Sequence, residues 1–406
     1  MDQEKVSAIV QGACSKAVTK GEREFYELAG KVLGGSEARR VKDVAYLKSQ
    51  KRSIVIPTRS LKLFHRAVAR LFYTTGVCKF NSAAIGSIKY RSRQDIVSDS
   101  YRRYVASECR EDTKDLILIR MDIRKAFYNT PAYKVEEVLV SAIDTMLRDL
   151  VQMYSKPSNS MSSLPWTVRM PLAEFLAHDT KDSCYYRKAL FLRNVLPALV
   201  DATTYKGRLP VGFSLSPLIF NLSIKSIDGR IAGAIRTMGD RNNGLLDLSY
   251  THKSPNATPW QRPLTKVVIG GGMYYRYVDD LVIITPRANV GLVKIIRSIA
   301  WSEGLEMNER KTKVIPYASG WTALGMTLSD PLCKPSKRFL KKARGLWHRY
   351  QMHNDKKAYE ILRGMIASCV PKGATNSSIL DKLGIKLDIH GRKGKWDLVS
   401  KDDKTS

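Results

Sequence analysis

Two apolar, strand-favouring runs flank a pair of adjacent acids near the middle of the chain. Met273–Arg276 lies on one side of Asp279 and Asp280, and Leu281–Ile284 lies on the other. Such runs predict two short strands joined by a tight turn that fixes the carboxylates. Adjacent carboxylates repel each other, and a divalent cation is the usual remedy. The pattern predicts a metal-binding hairpin; the alternative is a turn whose acids are only solvated.

A second apolar run supplies a third carboxylate. Residues Leu116–Ile123 read as a buried strand that ends at Asp122, and a helical pattern starts at Pro131. Two-metal phosphoryl transfer needs acids from separate strands that converge on cations roughly 3.5–4 Å apart. Asp122 and Asp279 suit that chemistry. Asp122 could instead cap the following helix, and the two roles are compatible.

The pattern along the rest of the chain indicates an α+β protein. Residues 1–110 are mostly helical and basic, and residues 111–330 carry the strand-borne acids. Residues 331–372 return to a helical pattern, and residues 373–406 form a basic, polar tail. Stretches rich in Ser, Pro and Asn at Tyr154–Trp166 and Asn242–Arg262 predict inserted loops.

The composition indicates which class of partner the protein binds. The 406 residues include 68 Lys and Arg against 38 Asp and Glu, a formal net charge of +30. This positive charge exceeds what solubility requires and indicates that the binding partner is a polyanion. No segment has the roughly 18 consecutive apolar residues of a membrane-spanning helix, and no signal peptide opens the chain. We therefore expect a nucleic-acid partner and no membrane.

The cysteines and histidines argue against other kinds of site. Six of each are scattered along the chain without a CxxC pair or metal-ligand spacing. This distribution predicts reduced thiols in a cytoplasmic protein. It also disfavours a zinc site and a histidine-based hydrolase or nuclease.

Five short motifs in order resemble the palm motifs of reverse transcriptases. They are Asp122 with Phe127, Leu209–Pro217, Tyr277–Asp280, Leu305–Thr312 and Leu324–Gly325. Each motif is modest alone, but their order is specific. The resemblance covers roughly Lys51 to Thr327, and the helical segment after it lies where that family places its thumb.

The resemblance implies a right-hand polymerase fold and an RNA-directed DNA polymerase. Fingers would span residues 1–110, the palm with its antiparallel sheet residues 111–330, and the helical thumb residues 331–372. Asp122 and Asp279 would be the principal ligands of two Mg²⁺ ions, with Asp280 more peripheral and the Ile123 carbonyl assisting. Hard oxygen ligands suit Mg²⁺, for which Mn²⁺ is a substitute. The partners would be an RNA template, dNTPs and the DNA product.

The same resemblance assigns residues to the nucleotide. Phe127 would pack against its sugar and exclude a 2′-hydroxyl, although it could also be only a core aromatic. Gly212 would let the backbone approach the nucleotide closely, unless it is a plain Pro-Gly turn. Val211 departs from the family's usual Gln, which puts nucleotide preference in doubt. Arg52 would contact the triphosphate, or be a solvated charge, and Lys311 would protonate or neutralise the pyrophosphate.

A basic segment after the palm predicts a grip on the template–primer duplex. Clusters of cations alternate there with apolar pairs at helical spacing, so one face packs while the other follows phosphates. The alternative is a generic basic amphipathic helix. The residues assigned to nucleic acid are Lys337, Arg338, Lys341, Lys342, Arg344 and Trp347.

The sequence lacks motifs that are typical of several reverse transcriptase subfamilies. The chain lacks the retron signatures Asn-Ala-x-x-His and Val-Thr-Gly, and it lacks an HNH-like Cys/His cluster and an RNase H carboxylate set. It therefore most resembles the bacterial unclassified, abortive-infection and defence-associated reverse transcriptases. That resemblance implies copying of a dedicated non-coding RNA in antiphage defence. A retron-like or group II intron-like enzyme, an RNA-synthesising polymerase and an inactive RNA-binding palm scaffold are the alternatives.

Overall fold

The computed structural model describes most of the chain. The described residues are 2–35, 40–47, 52–76, 83–86, 116–155, 181–241, 268–269, 272–316, 321–328, 336–367, 383–390 and 395–400. They form two compact units, one from 1–81 with 124–228 and one from 82–123 with 229–406. The predicted loop at Asn242–Arg262 lies outside the described residues, as does all but the start of the loop at Tyr154–Trp166. The predicted boundaries of fingers, palm and thumb stay predictions.

The first unit is mainly helical and carries one antiparallel strand pair. The pair joins β1 (Val41–Leu47) to β2 (Arg52–Pro57). The helices are α1 (Gln3–Ser15), α2 (Lys20–Leu33), α3 (Arg59–Thr74), α4 (Ala132–Ser155), α5 (Lys181–Asn194), α6 (Leu196–Thr203) and α7 (Ser216–Ser223). A further helix, α8 (Lys225–Arg241), begins in this unit and continues into the second.

Local sequence explains where these helices begin. A capping box of Thr19 and Glu22 starts α2, and the hydroxyl of Thr58 accepts a hydrogen bond from the Leu61 N–H at the start of α3. Glu22 is fully buried, and its carboxylate accepts two hydrogen bonds from the Arg187 guanidinium at 2.7 and 2.8 Å. A buried acid needs such a partner. The pair therefore ties α2 to α5.

A buried histidine on α3 makes this unit sensitive to acid. His65 is fully buried, and its Nε2 lies 3.0 Å from the Ala202 carbonyl oxygen, to which it donates. Burial, assisted by the charge of Arg40, lowers the pKa of His65 to about 4. The folded protein therefore keeps a neutral imidazole where the unfolded chain would already be protonated.

The unfolding free energy should consequently fall as the pH drops from about 6.5 to about 4, by about 3 kcal/mol in total from this one residue. The direction follows because the unfolded chain binds the proton first. Urea unfolding at a series of pH values measures the effect. In His65→Gln the amide can still donate to Ala202 but cannot titrate, so its profile should be flatter over that range. Equal slopes in the two proteins would contradict the assignment.

The second unit is built on a five-stranded antiparallel sheet. The strand order is β4-β5-β6-β3-β7. The strands are β3 (Leu116–Asp122), β4 (Val268–Ile269), β5 (Gly272–Tyr277), β6 (Asp280–Pro286) and β7 (Lys313–Pro316). Because β3 lies between β6 and β7, nearly all of its side chains are buried, and its sequence is almost continuously apolar. The predicted α+β class and antiparallel sheet are confirmed.

Helices and short strands complete this unit. They are a 3₁₀ segment (Arg287–Gly291), α9 (Leu292–Ser302), a 3₁₀ turn (Glu309–Lys311), β8 (Thr322–Ala323), β9 (Met326–Thr327), α10 (Lys337–His353), α11 (Lys356–Ala367), β10 (Ile385–His390) and β11 (Lys395–Ser400). Tyr275 of β5 and Trp321, which precedes β8, share one core with Leu346 of α10 and Leu362 of α11. The antiparallel β10–β11 pair lies within the segment read as a polar tail. Among the described residues, no helix is both long and apolar enough to cross a membrane.

Candidate active site

The acidic pair lies where two paired strands turn. Tyr277 at the end of β5 pairs with Asp280 at the start of β6, so Val278 and Asp279 form a two-residue turn. The predicted hairpin is therefore confirmed. Val278 has φ +60°, in the left-handed region that a β-branched residue rarely adopts. Surrounding contacts must hold this strained backbone in place.

The third acid lies directly across from this turn. Asp122, the last residue of β3, is the cross-strand partner of Asp280. Side chains paired in this way have Cβ atoms about 4.5–5.5 Å apart. In addition, the Ile123 N–H donates to the Asp279 carbonyl at 2.9 Å, which ties the end of β3 to the turn. The sheet register thus brings together the three predicted carboxylates.

The electrostatics of the site reflect this crowding. Burial, followed by the negative charges of Asp279 and Asp122, raises the pKa of Asp280 to about 6. The positive charges of Arg120 and Lys311 oppose that rise. A buried carboxylate beside two further acids forms a site that a cation would stabilise.

Lys311 and Asn308 hold the Asp122 carboxylate. The Lys311 ammonium donates to Oδ1 at 2.7 Å, and the Asn308 amide donates to Oδ2 at 3.3 Å. The Asn308 backbone N–H also donates to the Asp122 carbonyl at 2.7 Å. Burial lowers the pKa of Lys311, but the hydrogen bond to Asp122 and the nearby carboxylates outweigh it, so this pKa lies above its ordinary value.

The donor set fits a hard divalent cation. It consists of carboxylate oxygens on a rigid strand end and turn, which is the chemistry that Mg²⁺ prefers. Within the described part of the chain, however, no group of three or more His, Cys, Asp and Glu side chains is arranged to hold a metal ion. Both oxygens of Asp122 accept hydrogen bonds from Lys311 and Asn308. Each carboxylate oxygen carries two lone pairs, so Asp122 can bind a cation and keep both hydrogen bonds.

Two residues that position the turn were not predicted from the sequence. Arg276 is 1% exposed, and its Nη1 donates to the Val278 carbonyl at 2.9 Å, which supports the strained residue. The backbone of Arg276 also bonds to the segment 83–86, donating to Ala83 and accepting from Ile85. Gly86 packs so closely that an added Cβ would lie 2.5 Å from the Val278 nitrogen. The sequence feature that could have identified Arg276 is the presence of an arginine within an apolar, strand-favouring run.

The nucleotide-binding candidates Phe127, Val211, Gly212 and Arg52 belong to the first unit. Phe127 is half-buried and lies 5.3 Å from Phe220, ring centroid to ring centroid. The Val211 carbonyl accepts a hydrogen bond from the Val55 N–H at 2.8 Å, which holds the loop against β2. Gly212 has φ +116°, and a Cβ there would lie 2.1 Å from the Val55 carbonyl oxygen, so only glycine fits. Arg52 is the first residue of β2.

The predicted nucleic-acid residues separate into two groups on α10. Five of them are exposed cations: Lys337, Arg338, Lys341, Lys342 and Arg344. Trp347 is 8% exposed and packs in the core of the second unit, with its ring 5.6 Å from that of Tyr350. Its assignment as a nucleic-acid contact is corrected, because the apolar face of the helix faces the core.

The chain matches a family of known proteins. The family described as reverse transcriptase (RNA-dependent DNA polymerase) matches residues 41–328. All five motifs lie within that range. A search of curated proteins found no match.

Solved structures of telomerase are similar at low identity. The telomerase of Candida albicans in complex with a telomeric RNA fragment has 13% identity and a TM-score of 0.40, covering 78% of this chain and 51% of that chain. The apo telomerase of Candida tropicalis has 13% identity and a TM-score of 0.41, covering 78% and 50%. This chain thus spans about half the length of these structures.

Proposed function

This chain belongs to the reverse transcriptase family. We propose that it is an RNA-directed DNA polymerase using two-metal-ion nucleotidyl transfer. Its fold class is that of the right-hand polymerases. The observation that carries the proposal is the register of the sheet. Asp122 lies across from Asp280 on the neighbouring strand, and Asp279 lies in the adjoining turn.

In this proposal, different residues of the chain bind the metal ions, contact the nucleotide and act on the leaving group. Asp122 and Asp279 would bind Mg²⁺, with Asp280 and the Ile123 carbonyl in supporting roles; Mn²⁺ would substitute. When bound, the two ions activate the attacking hydroxyl and stabilise the leaving oxygen. Lys311, already at Asp122, would protonate the pyrophosphate or neutralise its charge. Arg52 would contact the triphosphate, and Val211 and Gly212 would lie beside the nucleotide.

The test is primer extension by the purified protein with Mg²⁺. An RNA template with an annealed DNA primer and dNTPs should give full-length DNA, and omission of the template should give none. Replacing dNTPs by rNTPs separates this proposal from an RNA-synthesising polymerase. Efficient extension with rNTPs and none with dNTPs would contradict it.

Phe127→Ala should admit ribonucleotides. The half-buried ring packs against Phe220, and in the proposed role it fills the space of a 2′-hydroxyl. Its removal should therefore raise rNTP incorporation relative to dNTP incorporation by roughly 10-fold or more, since a lost steric contact of this size is worth about 1–3 kcal/mol. The ratio of kcat/KM values measures this. Phe220→Ala is the matched control, because it empties the same aromatic contact from the other side; a similar ratio in both variants would indicate packing alone.

We also propose that the enzyme is a cytoplasmic bacterial protein that copies a dedicated non-coding RNA in antiphage defence. The missing retron and group II intron signatures support this subfamily. Sequencing the RNA and DNA that co-purify with the protein tests it. One abundant RNA with a matching cDNA is expected, and a random mixture of cellular RNAs would contradict a dedicated template.

A further inference from the structure

Helix α3 presents a row of cations that the motifs did not assign. Arg59, Lys62, Arg66 and Arg70 are all exposed, and their spacing of three or four residues places them on one face of the helix. At 1.5 Å per residue the row extends over about 16 Å. The opposite face of α3 is buried, with Leu61, Phe64, Val68 and Leu71 in the core. The helix is therefore fixed to the protein by one side and basic on the other.

The charges on this face are not balanced. Helix α3 contains no acidic residue, and within the described part of the chain none of the four cations forms an ion pair. Other helices of the same unit mix charges, as solvated faces do. Helix α2 alternates Lys and Arg with Glu, and on α4 Lys134 pairs with Glu137 at 2.9 Å. A row of like charges costs repulsion energy unless an anion lies against it.

We propose that this face of α3 is a second nucleic-acid surface, which binds the sugar-phosphate backbone of an RNA without reading its sequence. A row of exposed cations that form no ion pair with described residues matches a polyanion of regular charge spacing. Leu63, which is 44% exposed among them, adds an apolar contact for a ribose or a base. The inference rests on the proposed function only for the identity of the polyanion.

The surface differs from the basic helix that the sequence identified. On α10 the cations come in adjacent pairs, so they are visible as a cluster in the sequence. On α3 four cations are spread over twelve residues, and they form a row only when the helix is built. Each cation that releases a counterion from single-stranded RNA contributes about 0.7 to the salt slope of the binding constant.

The test replaces Arg59, Lys62, Arg66 and Arg70 by Gln and measures binding of a fluorescein-labelled single-stranded RNA by anisotropy at several salt concentrations, without metal or dNTPs. The salt slope should fall by about 2 to 3, and binding near 0.1 M salt should weaken roughly 10-fold or more. The matched control removes the same charge from four exposed lysines in or next to α1 and α2: Lys5, Lys16, Lys20 and Lys31. Its slope should change by less than about 1.

Equal slope changes in the two variants would overturn the proposal, because they would show only an effect of net charge. Flotation with phosphatidylserine vesicles tests the other polyanion: vesicle binding that depends on these cations, with unchanged RNA binding, would also overturn it. All substitutions are at the surface, and thermal unfolding checks that the variants fold. Because binding is measured without dNTPs, a protein that fails to polymerise DNA but shows the specific slope change would separate this inference from the proposed function.

Discussion

Replacing Asp279 and Asp280 together by alanine is expected to abolish dNTP incorporation and leave folding and RNA binding intact. The two substitutions remove two of the three carboxylates that the sheet register brings together. Loss of metal-assisted charge stabilisation is worth several kcal/mol, so the rate should fall by at least about 1000-fold. Primer extension on an RNA template measures the rate, and anisotropy measures RNA binding.

The expected direction of the stability change separates catalysis from folding. The acids lie close together: burial first, and then the charges of Asp279 and Asp122, raise the pKa of Asp280. Without them the thermal midpoint should stay the same or rise, and binding of RNA should not weaken. The matched control is Glu136→Ala with Glu137→Ala, an adjacent acidic pair exposed on α4, which should keep full activity. Unchanged incorporation by the Asp279/Asp280 variant would exclude these residues from the chemistry; inactivity of the wild type would favour the palm-scaffold alternative.

The elements of the site were predictable because their sequence patterns are local. The apolar runs on both sides of Asp279 and Asp280 predict β5 and β6, and the run that ends at Asp122 predicts β3. A local sequence pattern does not determine the register in which the strands pair. That Asp122 pairs with Asp280, and that Lys311 and Asn308 bond to Asp122, depends on how segments distant in sequence align.

The structure differs from the sequence-based prediction in two other segments. In both, the spacing of apolar residues indicates the observed structure, but the basic composition favoured a different interpretation. On α10 the apolar residues Ala343, Leu346, Trp347 and Tyr350 recur at helical spacing, which predicts that Trp347 is buried, as it is. Residues Ile385–His390 alternate apolar and polar side chains, which is typical of a strand. The basic composition of the surrounding segment instead favoured a tail. In both segments the periodicity was more informative than the charge.

The contacts that support the turn at Val278 and Asp279 could not be predicted from any sequence motif. Gly86 lies far from Val278 in sequence, and its closeness follows from the pairing of residues 83–86 with Arg276. Val278 at φ +60° is unfavourable by roughly 1–3 kcal/mol for a non-glycine residue. The Arg276 guanidinium and the tight contact with Gly86 compensate for this strain. The turn is therefore supported by Arg276 and Gly86, neither of which belongs to the acidic cluster.

Gly86→Ala should disturb the position of the turn with a modest loss of stability. The added methyl would lie 2.5 Å from the Val278 nitrogen and 2.7 Å from the Tyr277 Cα, and backbone atoms cannot rotate away. Either the segment 83–86 retreats and loses its hydrogen bonds to Arg276, or the turn moves and carries Asp279 with it. Overpacking of this kind costs about 1–3 kcal/mol. We expect kcat to fall at least about 10-fold, since small displacements of reacting groups are costly, with little change in the KM for dNTP.

The matched control is Gly233→Ala in α8, the same chemical change at a site where a Cβ would meet nothing within 4 Å. It should be neutral or slightly stabilising, because alanine favours a helix over glycine by about 1 kcal/mol. A displaced turn should also weaken Mn²⁺ binding to the free protein, measured by electron paramagnetic resonance, whereas a general loss of stability would not. If Gly86→Ala binds Mn²⁺ and turns over like the wild type, the segment 83–86 does not position the acids, and the strain at Val278 must be held by Arg276 alone.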